Sequence, residues 1–302
     1  MHHHPPHRGH RTGSERAFAL ATLVNLGYTV LEAFYGFLTG SLALLSDAVH
    51  NLGDVLGLAL AWGAARLASR LPTASHTYGW RRATLLAPLA NALLLTGFSG
   101  ALAWEAVRRF AAPPEIPAWT VIWVAAIGIA VNLGTAMLFH ANRKQDLNRR
   151  GAYLHLMADA GVSVAAVLAG LGMYYRGWYL LDPLLAVLVA TVVAIAGWKL
   201  LLESFRQVMD AVPAHIDHAA VVSWLAQQPG VSQVHHLHIW AIGSGEVALT
   251  AHLVRPGETD HDDFLDDTLS GLESGFGINH STLQIETGRQ CRHDCQDTAP
   301  HH

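Results

Sequence analysis

Residues 41–54 read Ser41-Leu42-Ala43-Leu44-Leu45-Ser46-Asp47-Ala48-Val49-His50-Asn51-Leu52-Gly53-Asp54, an apolar stretch broken at helical spacing by ionisable groups. His50 and Asp54 are four residues apart, so on a helix they stack on one face. Asp47, three residues before His50, extends the same polar stripe. The run stays largely apolar through residue 67, past the roughly 20 residues that cross a bilayer core. Charge at that depth costs several kcal/mol and as a rule marks an ion or proton path.

A second stretch repeats the device. Within 152–174, His155 and Asp159 are again four apart, with Ser163 following on the same face. Two helices that each present such a pair can close a four-ligand site of two nitrogens and two oxygens. Tetrahedral coordination of that kind suits Zn²⁺ well and Co²⁺ or Cd²⁺ acceptably. Mg²⁺ and Ca²⁺ prefer shells built of oxygen alone. The plainer reading is an intrahelical hydrogen bond within each pair. Two matched pairs weigh against it, although spacing by itself does not bring the two segments together.

The rest of the chain fits a membrane protein. Its 302 residues are 51% hydrophobic and only 14% charged, against roughly a quarter charged in soluble chains. Six segments are long and apolar enough to be spans: 18–38, 42–67, 83–110, 118–140, 152–174 and 179–202. Tight hairpins are expected at Thr39-Gly40 and Arg176-Gly177, and a Pro113-Pro114 turn separates spans three and four. No cleavable leader precedes the first span, which is expected to remain in the mature protein. Arg8, Arg11, Arg16, Arg66, Arg70, Arg81, Arg82, Arg143, Lys144, Arg149, Arg150, Lys199 and Arg206 fall on one side, against Arg108, Arg109 and Arg176 on the other. Both termini are therefore expected in the cytoplasm. Among the remaining intramembrane polar groups, Asn25, Glu32, Asn91 and Asn132 suit helix packing or a water path. Asp182, before Pro183, reads as a cap for the sixth span. The net charge of −4 gives no sign of a nucleic-acid partner.

After Pro213 the period changes. Residues 215–227 read as a helix, 231–242 and 246–254 as strands about a Gly243-Ser244-Gly245 turn, 260–276 as an acidic amphipathic helix and 281–287 as a last strand. This αββαβ order predicts a small α+β domain with its helices on one sheet face. Histidine, at 20 residues, is the compositional outlier, and His235, His236, His238, His252, His261 and His280 gather here with Glu286. The only cysteines, Cys291 and Cys295, flank His293 in the tail, a candidate zinc site with a Cys-x₃-Cys spacing. A His-rich run, His2-His3-His4-Pro5-Pro6-His7, opens the chain. The expected organisation is an N-terminal tail 1–16, a six-span transport domain 17–208, a cytoplasmic domain 209–288 and a Cys/His tail 289–302.

These residues resemble the cation diffusion facilitator family, in its bacterial zinc, cadmium and cobalt efflux branch. The likeness runs in order through 41–54, His76-Thr77-Tyr78-Gly79, Leu154-His155 with Asp159, Asp182-Pro183, Met209-Asp210-Ala211-Val212-Pro213, 234–241, 244–249 and 280–286. It implies a homodimer of six-span protomers in a lipid bilayer, a bacterial inner membrane, with a metallochaperone-like cytoplasmic domain and protons as counter-ion. It places the transport site on His50, Asp54, His155 and Asp159, and a His in span two implies zinc selectivity. His235, His252, His261 and Glu286 fall close to positions that bind regulatory zinc in some members; exposed histidines with no metal role are the bland reading. Arg82 and Asp210 fall where members place a charge interlock. Two departures stand out: Trp80 occupies the place of a further histidine near His76, and the 142–150 segment is short and basic rather than His-rich. The rival of another class is a membrane-anchored zinc sensor that moves no metal. An exporter with a broader Cd²⁺ and Co²⁺ range is a nearer alternative. No nucleophile or substrate motif suggests an enzyme.

Overall fold

A computed structural model of the chain describes residues 11–140, 147–258 and 260–287. The histidine run at the start and the candidate tail site of Cys291, His293 and Cys295 lie outside the described residues. Six long helices come first: α1 (Arg11–Thr39), α2 (Leu42–Ala68), α3 (Ala83–Arg109), α4 (Ala118–His140), α5 (Leu147–Arg176) and α6 (Leu181–Val208). At 1.5 Å per residue even the 23-residue α4 is about 35 Å long, more than a hydrocarbon core of about 30 Å. Glycines close two of the turns between them, Gly40 at φ +71° and Gly177 at φ +66°, where a side chain would be strained. By length and composition α3, α4, α5 from Arg149 and α6 suffice to cross a membrane. The structure matches the six-span reading of the sequence in helix number, while α1 and α2, the latter carrying Asp47, His50 and Asp54, fall outside these four.

The chain forms two compact units, one of residues up to 59 with 90–199, the other of 60–89 with 200 onward. In the first, α4 and α5 pack closely. Gly170 makes this possible, because a Cβ there would come within 2.6 Å of Ile122 Cγ1 on α4. The outer faces stay apolar: Leu23, Val30, Phe34 and Phe37 on α1 and Leu184, Leu188 and Val192 on α6 are all exposed. Trp104, Trp119, Trp123, Tyr174, Tyr175 and Trp178 gather at the C-terminal ends of α3 and α5 and the start of α4. Such a girdle suits a bilayer interface, where one edge of the ring is wet.

Asp182 corrects the sequence reading. Its carboxylate caps a helix, but not its own. It accepts from Ser41 Oγ, from Leu42 N at 2.8 Å and from Ala43 N at 3.3 Å, so it serves the first turn of α2. Those amides have no partner within α2, and the helix dipole favours a negative group there. Asp182 is fully buried, so water offers no alternative. On the same hairpin Arg109 donates to the Gly40 carbonyl.

The second unit holds the α2–α3 loop and the expected αββαβ domain: α7 (His218–Ala226), β1 (Gln233–Gly243), β2 (Glu246–Val254), α8 (His261–Phe276) and β3 (His280–Glu286). β1 and β2 form a hairpin, while β3 returns parallel to β2 after α8, giving the order β1-β2-β3. One face of β2 (Val247, Leu249, Ala251, Leu253) packs on Val221 and Leu225 of α7 and on Phe264 and Leu272 of α8. Both helices therefore cover the same side of the sheet. Asp217 caps α7, accepting from Ala219 N at 2.9 Å. Asp260 precedes α8 without capping it; the Arg255 guanidinium holds its carboxyl below the ordinary range.

Replacing Asp182 by Ala leaves buried amides of α2 without an acceptor, at about 1–3 kcal/mol for each. The purified Asp182→Ala protein is expected to unfold several degrees below the parent in a detergent thermal-shift assay. Asp182→Asn keeps one acceptor oxygen and should fall less.

Candidate metal centres

α2 and α5 bring the two His/Asp pairs of the sequence together. His155 Nε2 lies 2.9 Å from Asp54 Oδ2 and 3.5 Å from Asp159 Oδ2. His50 Nε2 lies 3.4 Å from Asp159 Oδ1 and 4.0 Å from Asp54 Oδ2, and the two imidazoles meet edge to face with centroids 5.6 Å apart. Zinc bonds of about 2.0–2.1 Å imply a tetrahedron edge of about 3.3–3.4 Å. The four His–Asp separations, four of the six edges a tetrahedron has, are each within about 0.7 Å of that length. His50, His155 and Asp159 already offer ligand atoms within 4.8 Å of one another. The set is open on one side: side-chain exposure is 3% at Asp159 and 26% at His50, but 43% at Asp54 and 45% at His155. The intrahelical contacts, 4.0 Å and 3.5 Å, are longer than hydrogen bonds, and the short contact runs between helices. Two isolated intrahelical bonds do not describe this arrangement.

A second cluster sits on the sheet. His235 and His252 face each other in the β1–β2 register, and Glu286 reaches both from β3, at 3.3 Å to His235 Nε2 and 2.9 Å to His252 Nδ1. The three offer ligand atoms within 4.8 Å of one another. His261 and His280 are not part of this group. His261 begins α8 with a buried Nδ1 that has no partner. His280 opens β3, six residues or about 20 Å from Glu286, and packs edge to face on Tyr78. His236 joins instead. Strict alternation would send it to the opposite face from His235, but a bulge lies between His235 and His238 and His236 takes φ +52°. Its ring consequently stacks on His252 at 5.0 Å. Only the bulge reveals this neighbour, and no sequence pattern announces it.

Of the accessory residues, Arg82 and Asp210 form an ion pair at 2.9 Å. Both are more than half exposed, and such a pair contributes at most about 1 kcal/mol. The neighbouring Arg81, which the sequence did not single out, pairs with Glu246 at the β1–β2 turn, where Ser244 N also donates to Thr84 Oγ1 at 2.8 Å. Asp47 lies buried one turn before His50. His76 stacks on Trp80 at 4.3 Å and belongs to no group of three or more metal-ligating residues among the described residues.

A bundle of long apolar helices with an ionisable His/Asp cluster between two of them, followed by a small α+β domain, defines a membrane ion transporter. Comparison with known proteins gives the family. The cation efflux transmembrane domain matches residues 18–209, and the cytoplasmic domain of cation efflux proteins matches residues 213–288. The chain belongs to the cation efflux family. It is 36% identical over 274 residues to the zinc transporter ZitB of Shigella flexneri, covering 90% of this chain and 87% of the relative. It is 34% identical over 306 residues to a cadmium, cobalt and zinc/H(+)-K(+) antiporter of Bacillus velezensis, covering 97% of each. The metal-bound C-terminal domain of a CzcD transporter is 36% identical, covering 24% of this chain and 99% of that domain, with a TM-score of 0.23.

Proposed function

We propose that the chain exports divalent metal, zinc first among them, in exchange for protons, and that His50, Asp54, His155 and Asp159 hold the ion in transit. The observation that carries this reading is the convergence of His50 and His155 on the buried Asp159 carboxylate, with ligand atoms within 4.8 Å of one another, and the approach of Asp54 to His155 at 2.9 Å. Two imidazoles and two carboxylates match zinc, with cadmium and cobalt as further cargo, and relatives named for these metals agree with that chemistry. All six long helices cross the membrane in this reading, with 17–208 as transport domain and 209–288 as a cytoplasmic domain through which two copies pair. The lysine and arginine distribution puts both termini in the cytoplasm, and the bacterial relatives point to an inner membrane.

Coupling follows from the ligands. Metal needs both imidazoles neutral and both carboxylates ionised, so protons and zinc compete for the same atoms. A site that opens first to one side and then to the other exchanges one for the other. Zinc affinity therefore falls as pH falls. His235, His252 and Glu286 would take a regulatory ion in the cytoplasmic domain.

In proteoliposomes, zinc movement should depend on an imposed pH gradient; zinc binding without flux would leave only the sensor. His50→Ala and Asp159→Ala are each expected to abolish flux while the dimer still elutes intact on size exclusion. His50→Asp should relax selectivity towards Cd²⁺ or Mn²⁺, read as relative flux, because oxygen replaces nitrogen. Glu286→Ala should lower the zinc bound at equilibrium by about one ion per chain and leave gradient-driven flux measurable.

A further inference from the structure

One buried acid of the bundle has no task in the transport reading. Glu32 of α1 is 1% exposed, yet it belongs to no group of three or more metal-ligating residues among those described. Each of its oxygens accepts a hydrogen bond instead. Oε1 takes one from the Tyr28 hydroxyl at 2.9 Å, a turn earlier on α1, and Oε2 takes one from Asn51 Nδ2 of α2 at 3.3 Å. Tyr28 and Asn51 are themselves buried, and Asn51 directly follows His50 in the chain. The Tyr28 hydroxyl reaches towards the other ligand-bearing helix. At Gly128 of α4 a Cβ would collide with that hydroxyl and would stand 2.9 Å from Ser163 Oγ, so the two hydroxyls share the space the glycine leaves. Ser163 is buried and lies four residues after Asp159, on the same face of α5. Both helices of the quartet are thus met, close to a ligand, by the Tyr28–Glu32 pair of α1.

A buried carboxyl needs donors, and a buried amide needs an acceptor. If Glu32 and Asn51 part, each leaves an unpaired polar group inside the bundle, so their bond opposes rotation of α2 about its own axis. Rotation matters to the ligands. A turn of about 20° moves a Cα on the helix cylinder, of about 2.3 Å radius, by about 0.8 Å, and side-chain tips by more. Metal–ligand distances tolerate only about 0.2 Å. From these contacts we infer that Glu32 is a positioning residue: through Asn51 and Tyr28 it holds α2 and α5 where His50 and Asp159 meet, and so sets how tightly and how selectively the quartet takes zinc. Glu32 itself touches no metal. It acts as outer-shell partners do, one step further removed, reaching the ligands through the helix backbone rather than through their ring nitrogens. The inference rests on the quartet as the cargo site and adds a residue, on a helix that supplies no ligand, that fixes its geometry.

The test uses the full-length protein in detergent, carrying Glu286→Ala so that calorimetric titration with zinc reads the quartet. Glu32→Leu is expected to weaken zinc binding about tenfold or more, the range of lost outer-shell partners. The ratio of zinc to cadmium affinity should fall with it, because a looser site no longer rejects the larger ion. Asn51→Leu should do the same, and the double variant should lose no more than the worse single one, since both remove one contact. Glu32→Gln should stay near the parent: its amide keeps an acceptor for Tyr28 and a donor for a flipped Asn51. Unchanged affinity in a folded Glu32→Leu protein, losses that add in the double variant, or a Glu32→Gln as weak as Glu32→Leu would overturn the inference. Should Glu32→Leu fail to assemble, Tyr28→Phe decides: a several-fold loss supports the inference and unchanged affinity overturns it. Failure of the cargo-site reading looks different: His50→Ala on the same background would then bind zinc as the parent does.

Discussion

The buried carboxylate of Asp159 is the constraint around which the bundle is arranged. A bare charge at membrane depth costs several kcal/mol, and removing it from water is repaid only by close partners of opposite character. The partners within reach are imidazoles, His155 from its own helix and His50 from α2. For His50 to arrive, α2 must lie close to α5, and small residues let the bundle tighten. Ala43, Ala125 and Ala166 share one buried cluster, and Gly53 packs directly against Leu95. Asp182 then ties the first turn of α2 to α6, a fixed point about one and a half turns before the ionisable stripe begins. Site and scaffold are one set of contacts.

The cytoplasmic domain solves a similar problem with strands. An antiparallel register sets His235 opposite His252, and a parallel return through α8 brings Glu286 alongside. Side chains alternate between the two faces of a strand, so His235, His252 and Glu286 meet because three strands lie in register, and His236 joins them through the bulge. Both devices are present. At the far end of the same hairpin, about 25 Å along β1, Glu246 and Ser244 engage Arg81 and Thr84 of the α2–α3 segment.

Much of this was legible in the sequence, and the reasons are physical. Helical spacing alone paired His50 with Asp54 and His155 with Asp159, because a 3.6-residue period leaves little freedom. Apolar length located the long helices, and the alternation after Pro213 gave αββαβ in the right order. What escaped was long-range or backbone-borne. Asp182 looked like a cap for the helix it begins, yet its acceptors serve amides 139–140 residues earlier. His236 gained its place through a left-handed backbone torsion that histidine seldom adopts. Glu32 read as one more polar residue in a span, since nothing local reveals that Asn51 stands opposite.

The intramembrane polar residues therefore fall into two kinds. Asp182 accepts from three donors that belong to the fold, Ser41 Oγ and the Leu42 and Ala43 amides, so both of its oxygens are engaged. Asp47 and Asp159 are the opposite, each with a buried oxygen that no donor satisfies. Asn25, Asn91 and Asn132 also carry unmatched buried atoms, but only the carboxylates bring the negative charge that a mobile cation would offset. On the proposed transport path that cation alternates between a proton and a divalent metal. The bundle need only favour one in each of its two openings for the exchange to run.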